Sequence, residues 1–522
     1  MKSTSALGLA LCLVFSALAG SAGAFSKESL VWQKCAGCHA PTAEGKLARV
    51  EEIRTTPEEW WVIVDRMKRL YGMELAKGEM DALLRELCST QLLTPAELSQ
   101  VSYLSLQHNS QRMEVPQGPE QVHLFATCVR CHSAGKVFSY RMTPEAWLKL
   151  RDFHHYVTPT VHLQMREMHW RPEAEKALGY LGRSYAYGRA WQAPPTRLEG
   201  SWFIVGREPG KGSYRGEAAI SASQRAGDYT LKGKLEYEDG SSEDFEGDAV
   251  LYGDVALRTR TRHNGFETRG AYVFTEGELR GEHHFPAPHF RTSGATWIRK
   301  DSTPRVARVR PAFLLKGEKT TLTVEGTNLP EVKAADASFT GGAVRVLKAK
   351  RVNANALELQ VVSDASGIGS ARLKVKGLDA GPVRLAPRID YIAVSPGTGR
   401  ARLSGGPNYP AEGVQFEAIA YSRGAKAKDP KDDVALGPVP ASFRLAEEKT
   451  RPGDDDLQWV GGIGPNGTYI PIGDYSPLAS RKYHSEASGW VKVLARYAQG
   501  RQTYQAEGKL AVCVPDFIPR IR

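Results

Sequence analysis

Long apolar runs are scarce in this 522-residue sequence, and the one that exists, Ala6 to Leu18, is shorter than the ~20 residues a membrane-crossing helix needs. Lys2 precedes it and small residues ending Ala22-Gly23-Ala24 follow, the pattern of a secretory signal peptide cut before Phe25. Residues 1–24 are therefore expected to be removed, leaving a periplasmic chain with no membrane span. Basic runs interleaved with aromatics are also missing, which together with export excludes nucleic acid as a partner, although the formal charge is +11. Residues 25 to 185 hold 20 Lys and Arg against 19 Asp and Glu, so the basic excess lies further on, where it reads as solvated surface. With 41% hydrophobic and 24% charged residues, disorder and collagen-like structure are excluded as well.

Cysteine is sparse: seven in all, of which Cys12 leaves with the signal peptide. Four of the others stand in Cys35-Ala36-Gly37-Cys38-His39 and Cys128-Val129-Arg130-Cys131-His132. Only Cys88 and Cys513 remain, and an oxidising compartment permits a disulfide between them if the fold brings them together.

Cys-x-x-Cys-His is the attachment signature of c-type haem, because two sulfurs can form thioethers with the vinyl groups while the adjacent histidine binds iron. Thioredoxin-like redox pairs and half zinc sites share Cys-x-x-Cys but do not explain two copies each followed by His. The sequence thus points to two covalent haem c groups held by Cys35, Cys38, Cys128 and Cys131, with His39 and His132 as proximal ligands.

An internal duplication surrounds the two motifs. Val31-Trp32 corresponds to Leu124-Phe125, Thr56-Pro57-Glu58-Glu59-Trp60 to Thr143-Pro144-Glu145-Ala146-Trp147, and Tyr103-Leu104 to Tyr180-Leu181. Thr at an N-cap, Pro at the first helical position and acids in the first turn predict helices from Pro57, Pro95 and Pro144. In the first, Trp60, Ile63, Val64 and Met67 share one face, and their counterparts are Trp147, Leu150, Arg151 and His154. Met67 and His154 are accordingly the expected sixth ligands. Their competitors are Met73, Met80 and His108 for the first iron, and Met142, His155, His162, Met165 and His169 for the second.

Past Gln192-Ala193-Pro194-Pro195 the pattern changes to short alternating segments such as Ser201 to Val205, Tyr229 to Leu231 and Leu235 to Tyr237, with turns at Pro209-Gly210 and Asp239-Gly240. The expected architecture is multidomain: an α-helical dihaem cytochrome c domain (25–190), an antiparallel β-barrel (196–300) and two immunoglobulin-like β-sandwich domains (301–387 and 388–522). The β-rich part shows no catalytic constellation. Gly206 to Gly212 lacks the spacing of a phosphate loop, and His283, His284 and His289 lack a closed ligand set for a metal.

The order of two haem motifs, the Trp60 to Met67 and Trp147 to His154 helices, the Trp202, Gly206 and Gly210 barrel and two sandwich modules resembles the α subunit of quinohaemoprotein amine dehydrogenase. That resemblance implies a heterotrimer with a β-propeller subunit and a small subunit bearing a cysteine tryptophylquinone that oxidises primary amines. It also implies that this chain takes electrons from the quinone and passes them through its haems to an external periplasmic carrier, such as a small copper protein or cytochrome c. A dihaem cytochrome c peroxidase-like enzyme, which needs one iron open to peroxide, and a free-standing dihaem electron carrier are the alternatives.

Overall fold

The computed structural model describes residues 25–105, 114–129, 132–159, 161–286, 289–406, 411–426, 430–472, 481 and 486–514. Among the described residues up to 184 there are nine α-helices: α1 (Leu30–Cys35), α2 (Pro57–Tyr71), α3 (Glu79–Thr90), α4 (Pro95–Val101), α5 (Pro119–Cys128), α6 (Ala134–Phe138), α7 (Pro144–Val157), α8 (Val161–Gln164) and α9 (Trp170–Ser184). The expected starts of α2, α4 and α7 are realised through their caps. The Thr56, Thr94 and Thr143 hydroxyls accept from the amides of Glu59, Glu97 and Ala146 at 3.3, 3.4 and 3.2 Å. Glu97 closes a capping box by accepting the Thr94 amide at 2.8 Å.

Two short strands, β1 (Ile53–Thr55) and β2 (Tyr140–Met142), run directly into the caps of α2 and α7 and pair antiparallel, with Arg54 opposite Arg141. Equivalent residues of the repeat thus face each other about a local twofold. The same repetition fixes the two tryptophans: the Trp60 indole donates to the Gln91 carbonyl at 2.9 Å and Trp147 to that of Tyr185 at 3.1 Å. Phe25, the expected first mature residue, is buried in the core of the first half.

Eight antiparallel strands then close a barrel: β3 (Gly200–Glu208), β4 (Gly212–Ala222), β5 (Asp228–Tyr237), β6 (Ser242–Tyr252), β7 (Ala256–His263), β8 (Phe266–Thr275), β9 (Glu278–His284) and β10 (Thr292–Arg299). The first strand pairs the last, with Trp202 opposite Arg299. Tyr229 to Leu231 and Leu235 to Tyr237, read as separate segments, belong to one strand. Gly233 between them gives way to the Phe245 ring, which would lie 2.6 Å from a β-carbon at that position.

Beyond the barrel, residues 305–386 form two four-stranded sheets around one core, Leu322, Val324 and Leu359 meeting Leu373, Val383 and Leu385. Phe313–Leu315 runs parallel to Leu378–Ala386, so this module is not wholly antiparallel. The last part has a three-stranded and a four-stranded sheet, but it also carries a small third sheet of Val414–Gln415, Thr468–Pro471 and Gly461–Ile463. It thus departs from a simple two-sheet sandwich. The barrel touches every other part. Asp228 of β5 and Arg258 of β7 pair with Arg85 of α3 and Glu58 of α2, Arg308 donates into the barrel at Gly206 and Tyr214, and Arg207 pairs with Glu417. Among the described residues, no helix is long and apolar enough to cross a membrane. Cys88 is buried in the helical core and Cys513 ends the last strand, and both are free thiols, so no disulfide joins them.

Candidate haem centres

α1 begins at a Ser29 cap that accepts the Trp32 amide at 3.0 Å, and it ends at Cys35. The Cys35 carbonyl then accepts from the amides of both Cys38 and His39, at 3.1 and 2.8 Å. This tight turn is what the two-residue spacing produces, and it gathers both thiols and the imidazole at one helix end. Burial pushes the Cys35 thiol up to about 11, helped by the Glu86 charge, whereas Cys38 is exposed. Trp32, Cys35, Ala36, Ile63, Met73, Leu75 and Met80 pack on one apolar cluster, a wall suited to a flat hydrophobic group.

His39 holds its Nδ1 3.0 Å from the Ala48 carbonyl. A ring that donates from Nδ1 presents Nε2 as its lone pair, the arrangement an iron ligand needs. Burial pushes the His39 imidazole below its ordinary value, which keeps it neutral for ligation. The second site repeats the design. α5 ends at Cys128, and Phe125, Cys128 and Val129 pack with Leu150, Tyr180 and Tyr185 around buried Trp147. The His132 Nδ1 lies 3.2 Å from the Ser133 carbonyl, and Cys131 falls outside the described residues. Burial lowers the His132 imidazole, and the nearby charges of His154 and Lys136 act in the same sense.

His154 is thus close to His132. Its Nδ1 contacts the Leu150 carbonyl at 2.7 Å, leaving Nε2 directed away from its own helix. The neighbouring His155 is engaged with His162 at 3.0 Å instead, its ring edge-on to Trp170. Met142 is buried opposite Ile53, Met165 is buried beside Trp170, and His169 is exposed. For the first site, Met67 is half-buried on α2, but it is Met73 and Met80 that pack on the cluster holding Cys35. His108 lies outside the described residues.

Two features between the halves escaped sequence reading. Glu59 accepts from Tyr140 at 2.5 Å and pairs with Lys136, joining α2 to the second half. Arg54 and Arg141 both bind Glu97, at 2.8 and 2.9 Å. No local pattern announces partners so distant in sequence. In the barrel, His283 contacts Tyr272, His284 contacts Thr292 and His289 meets the Phe266 ring edge to face, so the three do not converge on a metal. Asp454, Asp455 and Asp456 do cluster, but the Arg481 guanidinium lies against Asp455 and Asp456 at 3.1 and 2.6 Å.

Comparison with known families decides the relationship. Residues 25–191 match the haem-binding domain of the quinohemoprotein amine dehydrogenase alpha subunit, 195–294 match its domain II, and 392–521 its domain IV. The chain belongs to this alpha-subunit family. The family places haem binding in residues 25–191, where both motifs lie, and makes the chain part of an amine dehydrogenase oxidoreductase. No curated protein matches the sequence. Similar solved structures include a redesigned β-barrel bound to DFHBI (13% identity, 20% of this chain and 94% of that one, TM-score 0.18). A mouse protocadherin-24 fragment spanning EC1–3 is another (12% identity, 48% and 85% coverage, TM-score 0.17). Likenesses this weak carry no argument.

Proposed function

We propose that this chain is the electron-transfer subunit of a periplasmic quinohaemoprotein amine dehydrogenase. Two haem c groups are bound through Cys35, Cys38 and His39, and through Cys128, Cys131 and His132, with Met67 and His154 as sixth ligands. Haem bound here supplies a one-electron iron couple. The chain's own residues do the rest: the thioether cysteines tether, the Ala48 and Ser133 carbonyls orient the proximal rings, and apolar walls limit water. Electrons arrive from a cysteine tryptophylquinone on a small partner subunit during oxidation of primary amines. They leave to an external copper protein or cytochrome c, with a β-propeller subunit completing the heterotrimer.

In this reading residues 1–24 are the signal peptide, 25–190 the cytochrome unit, 196–300 the barrel, and 301–387 and 388–522 immunoglobulin-like modules that dock partners. The observation that carries it is a repeated construction: Cys35 and Cys128 each end a short helix, and the histidines that follow, His39 and His132, are each anchored through Nδ1. Copurification from the native source tests it: the chain should emerge with two haems and a small quinone-bearing polypeptide. Isolation of the haem-loaded chain with peroxidase turnover and no such partner would favour the peroxidase reading and overturn this one.

A further inference from the structure

The barrel end facing the helices grips the first repeat at three points. At the β6–β7 turn, Gly253 lies against the Cys88 carbonyl of α3 so closely that no side chain fits. Arg85 of α3 reaches Asp228 at 2.5 Å, and Arg225 returns to Asp81. Arg258 of β7 forks onto Glu58, in the first turn of α2, its Nε 2.6 Å and Nη2 3.3 Å from the two carboxylate oxygens. Burial pushes the Glu58 carboxyl up and Arg258 more than offsets it, holding the group below its ordinary value. Val255, Ala256 and Val273 of the barrel join the same core cluster as Val31, Trp60 and Cys88, against which Cys35 packs. In the second repeat Pro144, Glu145 and Ala146 stand where Pro57, Glu58 and Glu59 stand, yet Glu145 has no arginine fork among the described residues. Among the described residues, barrel side chains join the apolar cluster of the first site and none joins that of the second.

We propose that Arg258 is a positioning residue for the first haem site, acting through Glu58 to fix the start of α2 and to balance a carboxylate beside the Cys35 cluster. This rests on the haem reading above. An unbalanced negative charge favours oxidised iron and an unbalanced positive charge favours reduced iron, so the two partners act in opposite senses. A fork between planar groups also sets an orientation that a point charge does not.

The test is potentiometric titration of the chain carrying both haems, followed by its haem absorption. Arg258→Ala should lower the potential of one of the two components, and Glu58→Gln should raise that of the same component. The double variant Glu58→Gln/Arg258→Gln should return it towards its original value while leaving the other component in place. Arg258→Lys, which keeps the charge, should shift it less than Arg258→Ala, and it stands in should the alanine variant fail to fold. Unchanged potentials in a chain that holds two haems overturn this inference alone, and so do equal shifts of both components, which report general loosening. A wild-type chain without haem overturns the proposed function first.

Discussion

Arg54 and Arg141, equivalent residues of the repeat, face each other across the β1–β2 pair and share one carboxylate, Glu97. Both are buried, at 5% and 7% exposure, so neither charge is relieved by water if the carboxylate is lost. Burial raises the Glu97 carboxyl, but the hydrogen bonds from Arg54 and the Thr94 amide prevail and hold it at about 2. A carboxyl depressed on folding stabilises the fold fully above its unfolded value of about 4.3 and loses that contribution as pH falls through about 2, an effect of about 3 kcal/mol. Denaturant titrations between pH 5 and pH 2 should therefore show a steep loss of stability in the wild type. Glu97→Gln should lower stability by roughly 3 kcal/mol at neutral pH and flatten that acid dependence. Equal acid sensitivity in the two proteins would contradict the assignment.

Because the Trp60 and Trp147 indoles anchor the two halves by the same kind of bond, they should behave as a matched pair. Trp60→Phe and Trp147→Phe are each expected to cost about 1 kcal/mol, the value of one hydrogen bond, in thermal unfolding followed by circular dichroism. Each should broaden the haem spectrum of its own half. A variant that disturbs both haems equally would contradict independent anchoring.

Denatured chain should keep both haems, since thioethers survive unfolding while axial bonds do not. Intact mass of Cys128→Ala should show the loss of covalent attachment at the second site only. Retained attachment there would contradict the role given to Cys128.

Thioether ligation raises an iron potential above that of a bis-imidazole site, so under the proposed ligand set the haem that Met67 would hold should be the higher of the two and electrons should leave from it. Met67→Ala should remove the methionine-ligation absorption band and shift that component. Persistence of the band in Met67→Ala, with its loss in Met73→Ala or Met80→Ala, would transfer the ligand role to a methionine already packed on the Cys35 cluster.

Arg308 links the 305–386 module to the barrel by donating to the Gly206 and Tyr214 carbonyls at 2.5 and 3.0 Å while pairing within its own module with Glu325, whose side chain is 2% exposed. Arg308→Ala leaves that carboxylate without its main partner, and a loss of roughly 3 kcal/mol is expected in the unfolding of the 305–386 module. Scanning calorimetry should resolve it as a lower transition with haem absorption unaltered. A single unchanged transition would contradict the joint.

Helix starts were legible because Thr-Pro-Glu carries its meaning locally: cap, fixed φ and dipole partner lie within four residues. Hairpin turns were legible for the same reason at Pro209-Gly210 and Asp239-Gly240. Continuity of β5 through Gly233 was not, because what excludes a side chain there is Phe245 on the neighbouring strand. The haem motifs were visible as adjacent residues, whereas the shared Glu97, the Glu59–Lys136–Tyr140 bridge and the Arg258–Glu58 fork join residues far apart in sequence. Periodicity placed Met67 on the face of Trp60 and Ile63, yet the loop after Gly72, which brings Met73 to the cluster, has no periodicity to read. The third sheet of the last part was hidden in strands of two to four residues.

The barrel closes by joining β10 to β3, so it cannot be completed until Arg299 has been synthesised. The thiols at Cys35 and Cys38 emerge long before Val255, Ala256 and Val273, the barrel side chains that complete their core. Any attachment chemistry at the first motif during synthesis thus meets a half-built, water-exposed pocket, whereas the walls of the second are drawn mainly from residues 124 to 185 and follow soon after it. Order of synthesis gives the two motifs different surroundings at the moment of their maturation, although the finished fold makes them look like copies.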